Sequence, residues 1–308
     1  MATIKDSELN QLPSLGDWVR KAAACFEEAD LHYGHGTDNA WDEAAQLVLQ
    51  ILQLDVYSDD SVLKRHLSLV ERRLLRDAIE QRIHTHKPLP YLTHTAWFMG
   101  LSFYVDERVL IPRSPLGEWI AKKFDPWLLT EPAKICEIGT GSGCLAIACA
   151  KTFPHAHVDA VDICADALQV AKINVERHQM QDRVKLLQSD CFDNLAEQHY
   201  DLIISNPPYV STAEVESLPE EYQHEPRKAL EAEENGLKIV LKILQQAPRY
   251  LKQKGILVMD VGYSDEALMQ RLPRVPFTWL DLQQGGHGIF LLTVEELKQI
   301  NFKEQNVL

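Results

Sequence analysis

The first eighty-seven residues show apolar positions at helical spacing. Apolar residues recur every three or four positions with charges between them, which predicts amphipathic helices sharing one small core. Ser14 is a candidate N-cap of the first helix, and Asp38 opens the second. The third segment predicts one long helix over 58–87. Its expected buried positions are Leu63, Leu67, Val70, Leu74, Ile79 and Ile83.

The pattern changes at residue 88. The stretch 88–115 is rich in proline, aromatic and β-branched residues, which favours a β connector over another helix. Met99-Gly100 is placed to turn a hairpin between "TAWF" and "LSFYV". We therefore predict a helical domain over 1–87 and a β-hairpin linker over 88–115.

From residue 116 to 308, short apolar strands alternate with amphipathic helices. The strand sequences are "AKICEIG", "AHVDAVDI", "RVKLLQSD", "YDLIIS", "GILVMDVG", "FTWLDLQQ" and "GIFLLTV". This alternation predicts an α/β domain with a mostly parallel sheet covered by helices on both faces. The last two strands are joined by "GGHG" without a helix between them. They are therefore expected to form an antiparallel hairpin at one sheet edge.

Composition and charge exclude several classes. The chain has 308 residues, 45% hydrophobic and 25% charged, with no apolar run long enough for a membrane span and no secretory signal. We therefore expect a cytoplasmic protein. Its net charge of −14 argues against tight binding to duplex nucleic acid and suits a basic protein partner. The six cysteines form no C-x-x-C pair and favour buried free thiols, and no metal site is expected.

The turn after the first strand of this domain indicates a ligand. Its sequence is E-x-G-x-G-x-G, and the residues concerned are Glu137, Gly139, Thr140, Gly141, Ser142 and Gly143. Asp162 ends the second strand and is placed to accept both hydroxyls of a ribose. The spacing is tighter than the dinucleotide fingerprint G-x-G-x-x-G, which favours an adenosine ligand with an amino-acid tail over a pyrophosphate. A glycine turn without a ligand is the structural alternative.

Two further stretches follow the next two strands. After the third strand, Asp190 is placed to meet an adenine amino group, with Cys191 and Phe192 flanking the ring; a plain loop acid is the alternative. After the fourth strand comes "SNPPY". Asn and Pro are common turn residues, so this motif alone would also suit a simple turn.

Together these motifs resemble the class I S-adenosylmethionine-dependent methyltransferases. The N-P-P-Y form resembles the branch that methylates planar amide or exocyclic amino nitrogens. More narrowly, the chain resembles the protein-glutamine methyltransferases, which act on the amide nitrogen N5 of glutamine. The resemblance covers nearly the whole chain, and it implies a Rossmann-like, seven-stranded catalytic domain. The matching downstream segments are Ile111-Pro112-Arg113, Glu225-Pro226-Arg227-Lys228-Ala229-Leu230 and Asn235-Gly236-Leu237.

Two departures bear on the substrate. Release-factor-modifying members continue "IPR" with an acid-and-threonine stretch, whereas this chain has Ser114-Pro115-Leu116-Gly117-Glu118. They also often carry an aromatic residue where this chain has Cys191. The "IPRSP" form resembles the sister branch, which methylates the third protein of the large ribosomal subunit. This branch is our expectation, with a release-factor enzyme as the alternative.

The N-P-P-Y residues suit amide chemistry. The lone pair of a glutamine amide nitrogen is delocalised, so it must be freed and aimed before it can attack a methyl group. The Asn206 side-chain oxygen and the Pro207 carbonyl can each accept one N–H, and both bonds strengthen as positive charge develops. Pro208 stiffens the loop, and Tyr209 can pack on the amide plane.

Several roles remain open from the sequence. Glu225 either positions the substrate or simply begins a helix, and Arg113 either contacts ligand or forms a linker salt bridge. The helical domain either recognises the substrate or caps the catalytic domain. Rival functions are an adenine-amino methyltransferase, which needs a way to accept a base, a nicotinamide dehydrogenase and a non-catalytic cofactor-binding scaffold. The position of the modified glutamine and the oligomeric state are not encoded in any recognisable motif.

Overall fold

The protein was analysed as a computed structural model that describes residues 4–55, 58–196, 198–283 and 285–302. The chain folds into two compact units. One comprises the described residues of Met1–Ala96 together with Pro219–His224. The other comprises Trp97–Leu218 and the described residues of Glu225–Leu308. The boundary at Ala96 lies inside the predicted linker, whereas the return of Pro219–His224 to the first unit has no counterpart in the sequence pattern.

The first unit is helical. Ser14 caps its second helix, as predicted, through a capping box with Asp17. Asn39, rather than Asp38, caps the third helix, and its side chain accepts from the backbone N–H of Asp42 at 2.9 Å. The helices are α1 Asp6–Leu9, α2 Leu15–Glu28, α3 Ala40–Ile51, α4 Leu69–Thr85 and α5 Leu89–Thr93, with 3₁₀ turns at Asp60–Lys64 and Glu220–His224.

The single long helix predicted over 58–87 is wrong. A 3₁₀ turn ends at Lys64, and Ser68 then starts α4 with its own capping box. This start fixes which face of α4 is buried, so Leu75, Ile79 and Ile83 point inward at a spacing of four. Val70 and Leu74, which were expected in the core, are 67% and 52% exposed.

A buried ion cluster holds Pro219–His224 in the first unit. The carboxylate of Glu221 accepts from Arg82 Nη1 at 3.2 Å and from the backbone N–H of His32 at 3.0 Å. Arg82 also donates from Nε to Glu43 at 2.6 Å. Arg82, Glu43 and Glu221 are all almost fully buried, and in such surroundings charges persist only when they are paired.

The connector begins with a helix. The expectation of a purely β connector is wrong over α5, where Pro88 and Pro90 occupy the positions that tolerate proline at a helix start. The hairpin is confirmed: β1 Ala96–Phe98 pairs with β2 Leu101–Phe103. Met99 and Gly100 form the turn with φ values of 49° and 73°, as a two-residue hairpin turn requires.

The second unit contains a seven-stranded sheet within the described residues. Its order is β5-β4-β3-β6-β7-β9-β8, with β9 antiparallel to both neighbours and the remaining pairs parallel. The predicted class I methyltransferase topology and terminal hairpin are confirmed. The strands are β3 Lys134–Ile138, β4 His157–Asp162, β5 Val184–Gln188, β6 Tyr200–Ser205, β7 Leu251–Asp260, β8 Thr278–Trp279 and β9 Ile289–Thr293.

Helices cover both faces of this sheet. Neighbouring residues on one strand enter different hydrophobic clusters: Ile135 belongs to one and Cys136 to the other. This alternation is the period of two that places successive side chains on opposite faces. The helices are α6 Leu116–Ala121, α7 Cys144–Thr152, α8 Ala165–Arg177, α9 Thr212–Ser217, α10 Arg227–Leu230, α11 Lys238–Gln246, α12 Asp265–Arg271 and α13 Val294–Lys298, with 3₁₀ turns at Ala247–Arg249 and Gly262–Ser264.

Two predictions from composition can be compared with the structure. All six cysteines are free; four are buried, while Cys144 and Cys164 are partly exposed. None of the described helices is both long and apolar enough to cross a lipid bilayer.

Candidate active site

The predicted site residues follow strands that end at one edge of the sheet. The carboxyl ends of β3, β4, β5, β6 and β7 meet there because these strands are parallel. We call this the carboxyl edge. In open α/β sheets, ligands bind outside the carboxyl ends of the strands. The glycine turn, Asp162, Asp190 and Asn206 are therefore brought to one side of the second unit.

The glycine turn leaves open space above it. Gly139, Gly141 and Gly143 have φ values of 79°, 52° and 81°, which side chains with a Cβ rarely adopt. A Cβ at Gly141 would meet no atom within 4 Å, and one at Gly139 would meet only the Asn206 carbonyl oxygen at 3.9 Å. The positive φ values, which only glycine adopts readily, and the open space together fit close approach of a ligand to this turn.

Asp162 is anchored but retains acceptor capacity. Its Oδ2 accepts from the Gly141 N–H at 2.8 Å, and its Oδ1 accepts from the Cys164 N–H at 2.9 Å. A carboxylate offers about four lone-pair positions, so two remain for hydroxyl groups. Burial raises the pKa of the Asp162 carboxyl.

Glu137 is a buried acid with one unused oxygen. Its Oε2 accepts from Thr140 Oγ1 at 2.5 Å and from the Ala146 N–H at 2.9 Å. Its Oε1 is buried without a hydrogen-bond partner among the described residues. Burial raises the pKa of this carboxyl to about 8. A cationic group of a ligand would both use the free oxygen and stabilise the ionised form.

Asn174 of α8 supports the glycine turn and was missed by the sequence analysis. It is fully buried, and its Nδ2 donates to the Ser142 carbonyl at 2.8 Å and to the Tyr104 carbonyl at 2.9 Å. Its Oδ1 accepts from the Tyr104 N–H at 2.7 Å. Asn174 lies in the middle of an amphipathic helix, where no sequence motif marks it. The one available signal was that a buried amide side chain needs hydrogen-bond partners.

The residues after β5 are held by Lys242 of α11. Lys242 Nζ lies 2.9 Å from the carboxylate of Asp190 and 2.8 Å from that of Asp193. Cys191 is buried with a φ of 51°. The Phe192 ring is packed in the core, stacked on Tyr250 at 4.6 Å. Contacts of Asp190, Cys191 and Phe192 with an adenine ring stay predictions.

Asn206 offers an unsatisfied acceptor. It follows β6, whose last residue Ser205 donates from Oγ to the Ile138 carbonyl at 2.7 Å and fixes the strand end. The Oδ1 of Asn206 is buried and has no hydrogen-bond partner among the described residues. A buried polar atom without a partner is costly, and such atoms concentrate where a ligand supplies the missing group.

Asn206 lines a pocket of about 140 Å³. A cavity of ~150 Å³ holds one benzene molecule, so this pocket suits a single planar group of that size. The pocket is lined by Leu110, Arg113, Ser114, Pro115, Asn206, Pro207, Tyr209, Val210, Ala229, Leu230 and Asp260. Of the predicted substrate-binding residues, Pro208 and Glu225 are not part of this lining.

Glycines hold Tyr209 in place. The Tyr209 carbonyl accepts from Ser264 Oγ at 2.7 Å. A Cβ at Gly236 would lie 2.0 Å from that carbonyl oxygen, and one at Gly262 would lie 2.6 Å from the Tyr209 ring. Both glycines also have positive φ values, 83° and 48°. Close backbone packing therefore fixes the position of this aromatic side chain.

Arg113 and Glu225 bind each other. Arg113 Nη1 and Nη2 each lie 2.6 Å from a different oxygen of Glu225, and the Ile111 N–H donates to the same carboxylate at 3.0 Å. The Glu225 side chain is fully buried. The pair joins the "IPR" segment to the "EPRKAL" segment beside the pocket. The contact is the linker salt bridge that the sequence left open for Arg113. A direct contact of Arg113 or Glu225 with a ligand stays a prediction.

Comparisons with known proteins identify the family. A family model named "Methyltransferase small domain" matches residues 127–233. A ribosomal protein uL3 glutamine methyltransferase of Francisella tularensis is 41% identical over 94% of this chain and 93% of its own. One of Neisseria meningitidis serogroup A is 44% identical over 93% of this chain and 95% of its own. This chain belongs to the family of ribosomal protein uL3 glutamine methyltransferases. The resemblance inferred from the motifs is confirmed, including the branch favoured by "IPRSP".

A solved structure has a fold similar to that of this uL3 glutamine methyltransferase family member. The catalytic domain of hMettl16, solved in complex with the MAT2A 3′UTR hairpin 6, is 20% identical. It aligns with a TM-score of 0.50 over 70% of this chain and 81% of its own. At this identity the similarity concerns the fold alone, and it agrees with the methyltransferase topology of the sheet.

Asp260 is an acidic residue of the pocket lining that was not among the predicted site residues of this family member. It ends β7, is 1% exposed and accepts from Ser114 Oγ at 2.9 Å and from the Gly262 N–H at 3.1 Å. Burial raises the pKa of its carboxyl to about 6. The signal was present, because Asp162 was selected as an acid at a strand end and the "VMDVG" stretch has the same form.

Proposed function

We propose that this enzyme transfers a methyl group from S-adenosylmethionine to the side-chain amide nitrogen (N5) of a glutamine in ribosomal protein uL3. The observation that carries this proposal is the buried, unpartnered Oδ1 of Asn206 in a pocket sized for one planar group. The family membership supports the choice of substrate. A ribosomal protein substrate would place the reaction in the cytoplasm, during assembly of the large subunit.

The residues of the carboxyl edge fit the methyl donor. The space above Gly139 and Gly141 admits close approach, Asp162 keeps free lone pairs for the ribose hydroxyls, and the unused oxygen of Glu137 suits a cationic amino group. When bound, S-adenosylmethionine supplies an electrophilic methyl group on a sulfonium. Asp190 is proposed to accept from the adenine amino group, with Cys191 and Phe192 beside the ring.

Asn206 and Pro207 are proposed to activate the amide. Both residues line the pocket, and each offers a carbonyl oxygen to one N–H of the glutamine side chain. Two acceptors placed around the nitrogen oppose delocalisation of its lone pair and aim it at the methyl group. Both hydrogen bonds strengthen as positive charge develops on nitrogen, so they lower the barrier rather than only binding the substrate.

Tyr209 and the Arg113–Glu225 pair are proposed to shape the pocket. Tyr209 is held by Ser264 and by close-packed glycines, so its ring can lie on the amide plane at little entropic cost. The Arg113–Glu225 pair fixes the backbone at Ile111 beside the pocket wall. The role of this pair is therefore to position the pocket.

The first unit is proposed to recognise the protein substrate. Two observations support a role beyond a structural cap. Val70 and Leu74 are exposed apolar residues on α4, and the chain carries a net charge of −14 that suits a basic partner. Hydrogen exchange on the full-length enzyme with and without uL3 would locate the contact. Protection in α2–α4 supports recognition by this unit, whereas protection restricted to the second unit contradicts it.

The substrate is tested by mass spectrometry. Unmethylated uL3 and a release factor are incubated separately with the enzyme and isotopically labelled S-adenosylmethionine, and digested peptides are fragmented. We expect a labelled methyl group on a glutamine of uL3. Label on the release factor at a higher rate, label on lysine or arginine, or label on DNA in a separate third reaction would overturn the proposal.

A further inference from the structure

Asp260 is a buried carboxyl in the wall of the pocket that we assign to the substrate. In the sheet register Ser205, the last residue of β6, pairs with Met259 of β7. Asn206 directly follows β6 and Asp260 is the last residue of β7, so the two lie next to each other at the carboxyl edge. Neighbouring strands are ~4.8 Å apart. Both residues line the same 140 Å³ pocket. A group held against the Asn206 side chain is therefore also close to the Asp260 carboxyl.

Asp260 is the ionisable pocket residue suited to meet positive charge. Among the described residues that line the pocket, Arg113, Tyr209 and Asp260 carry ionisable side chains. Arg113 is cationic and is bound to Glu225, and a tyrosine is uncharged at neutral pH. Among the ion pairs of the described residues, none involves Asp260. Its carboxylate accepts one hydrogen bond on each oxygen, which leaves lone pairs for a further partner.

We propose that the Asp260 carboxylate is the counter-charge for the substrate nitrogen and accepts the proton that this nitrogen loses after methylation. Ser114 is proposed to position that carboxylate through its hydrogen bond. This proposal rests on the proposed function, because it assumes a glutamine amide in the pocket. We call the two acceptors of Asn206 and Pro207 the amide clamp. The proposal deepens that function by assigning a residue to the positive charge and to the proton, which the amide clamp leaves unassigned.

The reaction balances with a sulfonium methyl donor as the co-reactant. The nitrogen lone pair forms the N–C bond, while the electron pair of the C–S bond stays with sulfur, which becomes a neutral thioether. Positive charge thus moves from sulfur to nitrogen, which changes from planar to tetrahedral and redirects its N–H bonds. One N–H bond then breaks, its electron pair stays on nitrogen, and the proton joins a carboxylate oxygen of Asp260. The proton passes to water when the product leaves.

The pH range follows from the burial of Asp260. Burial raises the pKa of this carboxyl to about 6, so the carboxylate form required here predominates above that pH and is lost below it. Ser114 donates to the carboxylate and thereby lowers its pKa. Removing the Ser114 hydroxyl should therefore move the active range to higher pH.

The effect of Asp260 must be separated from that of charged groups on the neighbouring elements. Those on the neighbouring elements are paired: Arg113 with Glu225, Glu118 with Lys122 on α6, and Asp265 of α12 with His287 in the loop before β9. Histidine also titrates near neutral pH. His287→Gln is therefore the matched control for a pH effect assigned to Asp260.

The test combines kinetics with a direct titration of the full-length enzyme. Single-turnover rates with uL3 are measured from pH 5 to 9 for wild type, Asp260→Asn, Ser114→Ala and His287→Gln. The positive charge passes from sulfur to nitrogen and is not newly created, so the effect of removing the carboxylate should be moderate. Asp260→Asn should be about 10- to 100-fold slower than wild type at pH 8. It should also lack the fall in rate below about pH 6, which we call the acid limb. Ser114→Ala should shift that limb upward, and His287→Gln should keep it.

A second readout does not depend on turnover. The infrared carbonyl band of protonated Asp260, isolated as the difference between wild type and Asp260→Asn without ligand, should titrate near pH 6. Calorimetry with S-adenosylhomocysteine should show unchanged affinity in Asp260→Asn, which separates a local defect from misfolding. A wild-type rate and acid limb in Asp260→Asn, or a carboxyl band that titrates near pH 4, would overturn the proposal. Failure of wild type to methylate uL3 at any pH would instead overturn the proposed function and leave the infrared result standing.

Discussion

Glu137→Gln should change how the stability of the fold depends on pH. Glu137 is 1% exposed, and its pKa rises from 4.5 to about 8 because burial disfavours the charged form. The folded protein therefore holds a proton that the unfolded chain releases above pH 4.5. The resulting stability is fully present below pH 4.5 and is lost as pH rises toward 8. Glutamine does not titrate, so the variant lacks this loss.

The pKa shift sets the size of the effect. At 1.36 kcal/mol per pKa unit, a shift from 4.5 to about 8 corresponds to about 5 kcal/mol over the whole range and about 3 kcal/mol by pH 7. The glutamine NH₂ would lie where Oε1 has no partner, which costs ~1–3 kcal/mol at every pH. The informative quantity is therefore how the difference in free energy of unfolding between variant and wild type changes with pH. Its constant part, which the unpartnered NH₂ group also affects, is secondary.

The assay is urea denaturation of both proteins from pH 5 to 9. The free energy of unfolding of Glu137→Gln minus that of wild type should rise by about 1.4 kcal/mol per pH unit up to pH 8 and then level off. Taking this difference cancels the other groups that titrate in the same range. The carboxyl of Asp162 interacts with Glu137, so some curvature is expected. Equal slopes in the two proteins would show that Glu137 is ionised in the fold and would refute the reasoning.

Two ion pairs give further predictions. Glu225→Gln should lower the free energy of unfolding by about 2–3 kcal/mol in urea denaturation, because it removes the buried partner of Arg113, whose own side chain is 25% exposed. A loss below about 0.5 kcal/mol would contradict this. Lys242→Met should weaken S-adenosylhomocysteine binding a few-fold by calorimetry, because Lys242 holds the Asp190 carboxylate at 2.9 Å. Lys238→Met on the same helix is the control, and equal affinities in both variants would contradict the role assigned to Lys242.

The catalytic fold could be predicted from the sequence because its signals are local. The strands of the parallel sheet are short apolar runs, helices follow β3, β4, β6 and β7, and the glycine turn requires positive φ values. The terminal hairpin followed from the missing helix between the last two strands. The same local signals placed Asp162 and Asn206 at strand ends, where the sheet brings them to one edge.

The errors came from competition between local signals. Val70 and Leu74 fit a helical period that continues from Leu63, but the Ser68 capping box starts a new helix with another buried face. Pro88 and Pro90 were taken as evidence against a helix, although the first turn of a helix tolerates proline.

Long-range pairs could not be predicted. Arg113 and Glu225 lie 112 positions apart, and Arg82 and Glu221 lie 139 apart. No single sequence shows which arginine meets which buried carboxylate. The return of Pro219–His224 to the first unit depends on the second of these contacts, so it was also missed. Asp260 could have been found by treating every acid at a strand end alike.

The amide clamp is the central claim, and Asn206→Ala tests it most directly. Purified wild type and variant are compared for methyl transfer to uL3 in single-turnover experiments, and for binding of S-adenosylhomocysteine by calorimetry. Removal of one preorganised hydrogen-bonding group at a reacting centre costs about 10²- to 10³-fold in rate. We expect the variant to lose at least 10²-fold in rate with its ligand affinity nearly unchanged. A variant that methylates uL3 at a rate close to wild type would contradict the clamp.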